Sequence, residues 1–213
     1  MLIVHHLHRS QSDRIVWLCE ELGLPYELKL YDRERSGAAP PAYKALHGFG
    51  TAPVIQDGDL VLGESGAIIE YVCRKHGGGR LTVEPGAQNF PNYLYWFHFG
   101  NSSFLPAVMM ALVPAFPIPG VSEIERERLR RSRFDRAFEM AEQRLGEMPY
   151  FAGPHFTAAD VMMVFPLTRS RLSVPKDISG FPNLLAYLQR IGARPAFQRA
   201  CQKSDPDLSP NLT

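Results

Sequence analysis

The run Thr51-Ala52-Pro53-Val54-Ile55-Gln56-Asp57-Gly58-Asp59-Leu60-Val61-Leu62-Gly63-Glu64-Ser65-Gly66-Ala67-Ile68 changes its period twice within a few residues. Pro53–Gln56 and Leu60–Leu62 read as short strands, and Asp57-Gly58-Asp59 between them is a hairpin signal, because glycine supplies the positive φ of a tight turn. Glu64–His76 then moves to helical spacing, with Ile68, Ile69, Val72 and Cys73 on one face and Gly77-Gly78-Gly79 as a stop. Toward the N-terminus, Leu2–His6 is a brief apolar strand. Ser12–Leu22 carries Ile15, Leu18, Cys19 and Leu22 at helical spacing before Gly23, and Tyr26–Tyr31 alternates as a second strand. Pro41–Leu46 is a short helix ended by Gly48. The order β-α-β, α, β-hairpin, α predicts one mixed sheet with helices on its faces: a parallel pair from the crossover unit and antiparallel strands from the hairpin.

Beyond Pro91 the pattern holds no strand. Pro91–Val113, Ser122–Glu147, Ala158–Leu172, Phe181–Arg194 and Pro195–Lys203 all read as helices. The fold class is therefore α/β plus all-α, with domains at 1–78 and 88–213 and a linker at 79–87. Composition agrees: 213 residues with 45% hydrophobic and 21% charged side chains can bury a sizeable core. A net charge of +1, from 23 basic and 22 acidic residues, argues against a dedicated nucleic-acid or anionic-membrane binder. The arginine-rich helix from Glu123 to Arg136 interleaves Glu123, Glu125, Glu127 and Asp135, which reads as a solvated, salt-bridged face. The apolar run Phe104–Pro119 is broken by Pro106, Pro114, Pro117 and Pro119, so no straight membrane span is expected. Cys19, Cys73 and Cys201 are odd in number, widely spaced and without a CxxC, which points to a reducing, cytoplasmic compartment with Cys19 and Cys73 as core packing.

Three places in the first domain carry chemistry. His8-Arg9-Ser10-Gln11-Ser12 precedes a helix, where main-chain N–H groups and the positive end of the dipole favour an anion; a thiolate held there has a lowered pKa. Ser10 or Ser12 could equally be a plain N-cap. At Ala52-Pro53 ordinary energetics favour a trans bond. A cis bond would instead turn the Ala52 N–H and C=O outward, to pair with an extended peptide as an added strand. At Gly63-Glu64-Ser65-Gly66, Ser65 and the helix N-terminus suit a carboxylate and Glu64 an ammonium, the two ends of an amino-acid head, although a helix cap with a favourable dipole charge explains the same residues. His5 and His6 fall on opposite faces of a strand and are expected as packing rather than as a metal site.

Taken in order, Ser10-x-x-x-Arg14, Glu20-Glu21-Leu22-Gly23-Leu24-Pro25-Tyr26, Thr51-Ala52-Pro53-Val54-Ile55, Leu62-Gly63-Glu64-Ser65-Gly66-Ala67-Ile68 and Phe156-Thr157-Ala158-Ala159-Asp160-Val161 resemble the cytosolic glutathione transferase superfamily, in its bacterial and fungal, theta-like or yeast-type branches. The resemblance implies a thioredoxin-like N-terminal domain, an all-helical C-terminal domain, a homodimer and a detoxifying transferase. In that role glutathione is the co-substrate, no metal takes part, and the thiolate attacks a hydrophobic electrophile. It implies that Pro53 is the cis proline, that Ala52 pairs with the cysteinyl backbone, and that Glu64 and Ser65 hold the γ-glutamyl head. Ser10 is implied as the hydroxyl on the thiolate, with Ser12 as its rival, and Thr157 and Asp160 as a structural cap. Thr51 stands where relatives often carry a polar or basic side chain for the glycyl carboxylate, which leaves Lys44 or His47 to meet it. Asn101 stands where relatives often place an acidic residue that reaches across the dimer. Phe104 and Val108 are implied as walls of the electrophile pocket. Peroxide reduction at the same site, or a non-catalytic binding role, are the alternative activities. A disulfide reductase is disfavoured because no cysteine lies in Ser10–Asp13.

Overall fold

The computed structural model describes residues 1–112 and 119–213; Val113, Pro114 and Pro117 lie outside the described residues. The chain divides into two units, residues 1–83 with 191–210 and residues 84–190 with 211–213.

The first unit follows the order read from the sequence: β1 (Leu2–Leu7), α1 (Asp13–Leu22), β2 (Tyr26–Tyr31), α2 (Pro41–Lys44), β3 (Val54–Asp57), β4 (Leu60–Gly63) and α3 (Ser65–Lys75). The sheet order is β2-β1-β3-β4. β1 and β2 pair in parallel from Leu2 opposite Tyr26 to Leu7 opposite Tyr31, while β3 runs antiparallel to both β1 and β4. Ile15, Leu18, Cys19, Ile55, Ile68, Ile69, Val72 and Cys73 are fully buried in its core. α1 ends where Gly23 takes φ 61°, a left-handed conformation that costs glycine nothing sterically, and Leu24 N–H closes the turn on Cys19 O at 3.0 Å.

One element joins this unit from far along the chain. α9 (Pro195–Ser204) packs on α1, although its amphipathic pattern reads as one more helix of the second domain. The reason lies in α1, which is buried on nearly every side and so presents a second face to cover. The Trp17 and Phe197 rings meet edge to face at 5.0 Å. Glu21 takes a two-pronged pair of hydrogen bonds from Arg194, at 2.7 Å each, and Glu20 accepts from Arg199 and Lys203.

The second unit is helical: α4 (Phe90–Phe99), a π-helical turn (Gly100–Phe104), α5 (Leu105–Leu112), α6 (Glu123–Glu147), α7 (Ala158–Thr168) with a 3-10 extension (Arg169–Leu172), and most of α8 (Pro182–Gly192). At Gly100 an added Cβ would stand 3.1 Å from Met162 O, so the absent side chain is what lets this turn approach α7. The expected cap is present: Thr157 accepts from Ala159 N–H, and Asp160 accepts from Thr157 N–H at 2.8 Å. Along α6, Glu127 pairs with Arg130 and Arg131, Arg136 with Glu139 and Arg144 with Glu147, the salt-bridged face expected of that helix. No helix among the described residues is long and apolar enough to cross a membrane.

Candidate active site

The loop from His8 to Ser12 joins β1 to α1, and its two serines have separate jobs. Ser12 is fully buried and Ser10 is 7% exposed, so Ser10 holds the surface of the pair. Ser12 occupies the N-cap position, yet its hydroxyl makes no capping bond. Instead Ser12 Oγ accepts Leu7 N–H at 3.1 Å and lies 2.8 Å from His6 Nδ1 and 2.7 Å from Ser10 Oγ. Ser12 N–H in turn donates to Ser10 Oγ at 3.2 Å.

Arg9 takes φ 56°, a left-handed conformation rarely adopted by a residue with a side chain. Three contacts hold the loop in that shape. Arg9 N–H donates to Asp205 Oδ1 at 3.0 Å, and Arg33 donates to the carbonyls of His8 and Arg9 at 2.8 and 3.3 Å. Asp205, just past α9, also stands 2.9 Å from His8 Nδ1 and 3.5 Å from His6 Nε2. Burial works to raise its carboxyl, but His6, His8 and the Arg9 N–H outweigh burial and hold it well below the usual carboxylate range. His6, His8 and Asp205 offer ligand atoms within 4.8 Å of one another; the 2.9 Å His8 contact and the Arg9 N–H both fall on Asp205 Oδ1, and Oδ2 faces His6. His5 points to the other face of β1, toward the Tyr31 hydroxyl at 3.0 Å, as expected from strand alternation.

A second group ties α1 to the start of α3. Arg14 is 2% exposed, and its Nη1 donates to Gln11 Oε1 at 2.8 Å and to Ser65 Oγ at 3.4 Å. Ser65 Oγ donates to Gln11 Oε1 at 3.3 Å. Burial lowers the Arg14 guanidinium to about 10, with Asp13 opposing. Ser65 is thus the first residue of α3 rather than its cap, which corrects the cap reading: its hydroxyl faces Arg14 and Gln11. Glu64 takes the N-cap place at φ 68°, exposed, with its backbone in an uncommon conformation beside the helix start.

The Ala52–Pro53 bond is cis. Pro53 is buried, Ala52 half-buried and Thr51 exposed. Beneath them Tyr43 packs with Leu7 and Val54, and its hydroxyl donates to His5 O at 3.2 Å, which anchors α2 and the loop that follows. The His47 ring lies against Gly63, whose Cβ would meet it at 3.1 Å, while exposed Lys44 runs beside Gly50. Lys44, His47 and Thr51 therefore share one loop region.

Asn101, Phe104 and Val108 belong to the helical unit. Asn101 lies on the π-helical turn. Phe104 is buried with its ring 5.2 Å from Phe138 and 6.5 Å from Phe134, and Val108 is buried on α5. These are core positions of that unit. On the same stretch Ser102, Ser103, Pro106 and Met110 line an open cavity of about 310 Å³ with Arg133 and Arg136. Cys19 and Cys73 are buried and unpaired, and burial pushes both thiols up to about 12, so neither is a nucleophile at neutral pH.

Gln11, His6 and Asp205 are site residues that sequence reasoning misses. Gln11 lies within the stretch singled out by position, and His6 is two residues from His8 on the same strand face, so both had a local signal. Asp205 has none.

The sequence matches the family model described as glutathione S-transferase, N-terminal domain, over residues 8–75, and the one described as glutathione S-transferase, C-terminal domain, over residues 123–190. The chain belongs to the glutathione S-transferase family. Among curated relatives, glutathione S-transferase 3 of Schizosaccharomyces pombe is 32% identical over 95% of this chain and 88% of its own length. Among solved structures, a glutathione S-transferase from Actinobacillus pleuropneumoniae is 35% identical with a TM-score of 0.85, over 100% of this chain and 99% of that one. A theta-class glutathione S-transferase from Xanthomonas axonopodis pv. citri, solved with glutathione bound, is 25% identical with a TM-score of 0.71, over 93% of this chain and 96% of that one. Membership in the glutathione S-transferase family makes the first unit thioredoxin-like and the second the family's helical domain.

Proposed function

We infer that the chain is a glutathione S-transferase that holds the thiolate of glutathione at Ser10 for attack on a hydrophobic electrophile. The observation that carries this reading is the Ser10 hydroxyl. Ser10 is 7% exposed at the loop before α1, its Oγ is backed by Ser12 Oγ at 2.7 Å, and the loop is fixed by Asp205 and Arg33. The γ-glutamyl carboxylate goes to Ser65 and the start of α3 near the buried Arg14 charge, its ammonium to Glu64, and the cysteinyl backbone to Ala52 beside the cis bond. The glycyl carboxylate meets Lys44 or His47, with Thr51 alongside. Asn101 is the residue proposed to reach a partner subunit.

In the reaction, the bound thiol gives up its proton to solvent and Ser10 Oγ–H donates to the resulting thiolate. The sulfur forms a bond to an electrophilic carbon, and the leaving group departs with its electron pair. A hydrogen bond to the thiolate raises its population at neutral pH at some cost in intrinsic nucleophilicity. Phe104 and Val108, as core residues, have no part in this reading.

The free thiols of Cys19 and Cys73 support a cytoplasmic location. Half-exposed Tyr95, Met109, Met110 and Leu112 on the helical unit support a homodimer, which sedimentation would detect.

The test is conjugation of glutathione to an activated aryl halide by wild type and Ser10→Ala, with calorimetry of glutathione binding. Loss of a hydrogen bond to an anion should lower kcat roughly 10- to 100-fold with little change in affinity. Turnover unchanged in the variant removes Ser10 from the role. Absence of binding at millimolar glutathione overturns the enzyme reading.

A further inference from the structure

We propose that His6 and Asp205 form a positioning relay behind the thiolate site, setting the direction of the Ser12 and Ser10 hydroxyl protons so that Ser10 points its own proton at the glutathione sulfur. The proposal rests on the reading of Ser10 given above.

The argument is a proton count at Ser12 Oγ. A hydroxyl has one proton to donate and two lone pairs to accept with. Leu7 N–H at 3.1 Å must be the donor in its contact, which uses one lone pair. The two closest remaining partners are Ser10 Oγ at 2.7 Å and His6 Nδ1 at 2.8 Å. Leu7 O at 3.4 Å is a longer and weaker acceptor for the Ser12 proton. Between the two closer partners Ser12 accepts from one and donates to the other, which gives the chain two directions. In the inward direction Ser10 donates to Ser12, and Ser12 donates to an unprotonated Nδ1. The Ser10 proton is then spent on the protein. In the outward direction Nδ1–H donates to Ser12, Ser12 donates to Ser10, and the Ser10 proton is left for the sulfur.

Two states of His6 fit its surroundings, one for each direction. Its ring is fully buried, and Nε2 makes no close hydrogen bond but faces Asp205 Oδ2 at 3.5 Å. With Nδ1–H donating to Ser12, an unprotonated Nε2 would place a lone pair toward a carboxylate. A protonated Nε2 forms an ion pair with it instead. A neutral ring with its one proton on Nε2 also meets Asp205 but accepts at Nδ1 and runs the chain inward, so the outward chain requires the imidazolium paired with Asp205, with every N–H and O–H oriented toward the anion. A thiolate at Ser10 stabilises the same direction, so the relay and the ligand reinforce each other.

Other groups bear on this pair. The His8 ring stands edge-on to His6 at 5.5 Å and shares the Asp205 carboxylate, and Arg9 N–H donates to that carboxylate. His8 Nε2 also lies 3.4 Å from exposed Asp32, and the Arg33 guanidinium is held on the His8 and Arg9 carbonyls. His6 and Asp205 touch no reacting atom in this scheme; they are positioning residues.

The experiment follows the ultraviolet absorbance of the bound glutathione thiolate against pH, with calorimetry for the affinity, in the full chain and three variants. His6→Leu removes the Nδ1 donor, His6→Asn keeps an N–H donor near its place, and Asp205→Asn removes the charge that favours the imidazolium. Expected are a glutathione Kd near wild type throughout and a thiol pKa raised by about one unit in His6→Leu and Asp205→Asn, a fall of up to about tenfold in thiolate fraction near neutral pH. His6→Asn should recover most of that shift, and kcat should follow the thiolate fraction while KM for glutathione holds. If His6→Leu does not fold, the contrast between His6→Asn and Asp205→Asn decides the matter. Wild-type thiol pKa in Asp205→Asn, or an equal rise in His6→Asn and His6→Leu, overturns the relay while leaving the transferase reading intact. A wild-type protein that binds no glutathione overturns both.

Discussion

Arg14 Nη1 lies 3.4 Å from Ser65 Oγ, two residues 51 positions apart that meet at the starts of α1 and α3. The contact places a buried positive charge and a hydroxyl beside the N-terminus of α3, which is why the proposed reading puts the γ-glutamyl carboxylate there. Ser65→Ala should therefore weaken glutathione binding about tenfold, the value of roughly one hydrogen bond to a charged group. Calorimetry reads it directly, and thermal unfolding should move little.

Asp160 is a different kind of site. It is fully buried and accepts from Phe151 N–H at 3.0 Å, Thr157 N–H at 2.8 Å and the Tyr187 hydroxyl at 3.2 Å. Asp160→Ala would strand those donors without water. The expected loss is about 3–4 kcal/mol of unfolding free energy, measured by denaturant titration, because each orphaned buried donor costs about 1–3 kcal/mol and the local structure relaxes in part. Glutathione affinity per folded molecule should not change.

At Asp57 the prediction concerns pH. Hydrogen bonds from His76 and Tyr71, aided by Lys75 and opposed by burial, lower its carboxyl to about 2. An unfolded aspartate titrates near 3.9, so folding is favoured by the ionised form above about pH 4 and loses that contribution as pH falls toward 2. Lys75 is largely solvent-exposed, so screening reduces the gain to about 1 kcal/mol. Wild type should exceed Asp57→Asn by that amount at pH 6, and the gap should close in acid. Denaturant midpoints at several pH values check it.

Glu20 is buried against α9, while its cationic partners Arg199 and Lys203 are half-exposed. Replacing it leaves those cations to water rather than to a dry interior, so the usual heavy cost of breaking a buried pair does not apply. Glu20→Gln should cost only about 1 kcal/mol of stability. Denaturant unfolding measures it, and a loss above about 3 kcal/mol would show that the cations are far less hydrated than their exposure indicates.

The strands and helices of both units were legible because their signals are local. Alternation in Tyr26–Tyr31, the Asp57-Gly58-Asp59 turn, the Gly23 stop and the Thr157–Asp160 box each depend on a few neighbouring residues. The position of Ser10 before a helix, and of Glu64 and Ser65 at the start of another, was legible for the same reason. What each hydroxyl does was not. Ser12 sits where a cap should be, yet its bonds go to Leu7 N–H, His6 and Ser10, and Ser65 turns from its helix to Gln11 and Arg14. A short side chain has several partners in reach, and the choice among them is made by packing around it rather than by its neighbours in sequence.

The sequence by itself determined the element order, the mixed sheet, the two classes of unit and the resemblance that names the family, because period, turn chemistry and motif order are written along the chain. Only the tertiary structure decided that α9 covers the second face of α1 and that Asp205 comes to stand against His6, His8 and Arg9, the last of these 196 positions earlier. No local pattern encodes that meeting. It follows from α1 carrying the apolar Trp17 ring on its outer side beside Glu20 and Glu21, which pair with cations of the returning segment, so that the end of the chain covers it and carries its carboxylate to the back of the proposed site.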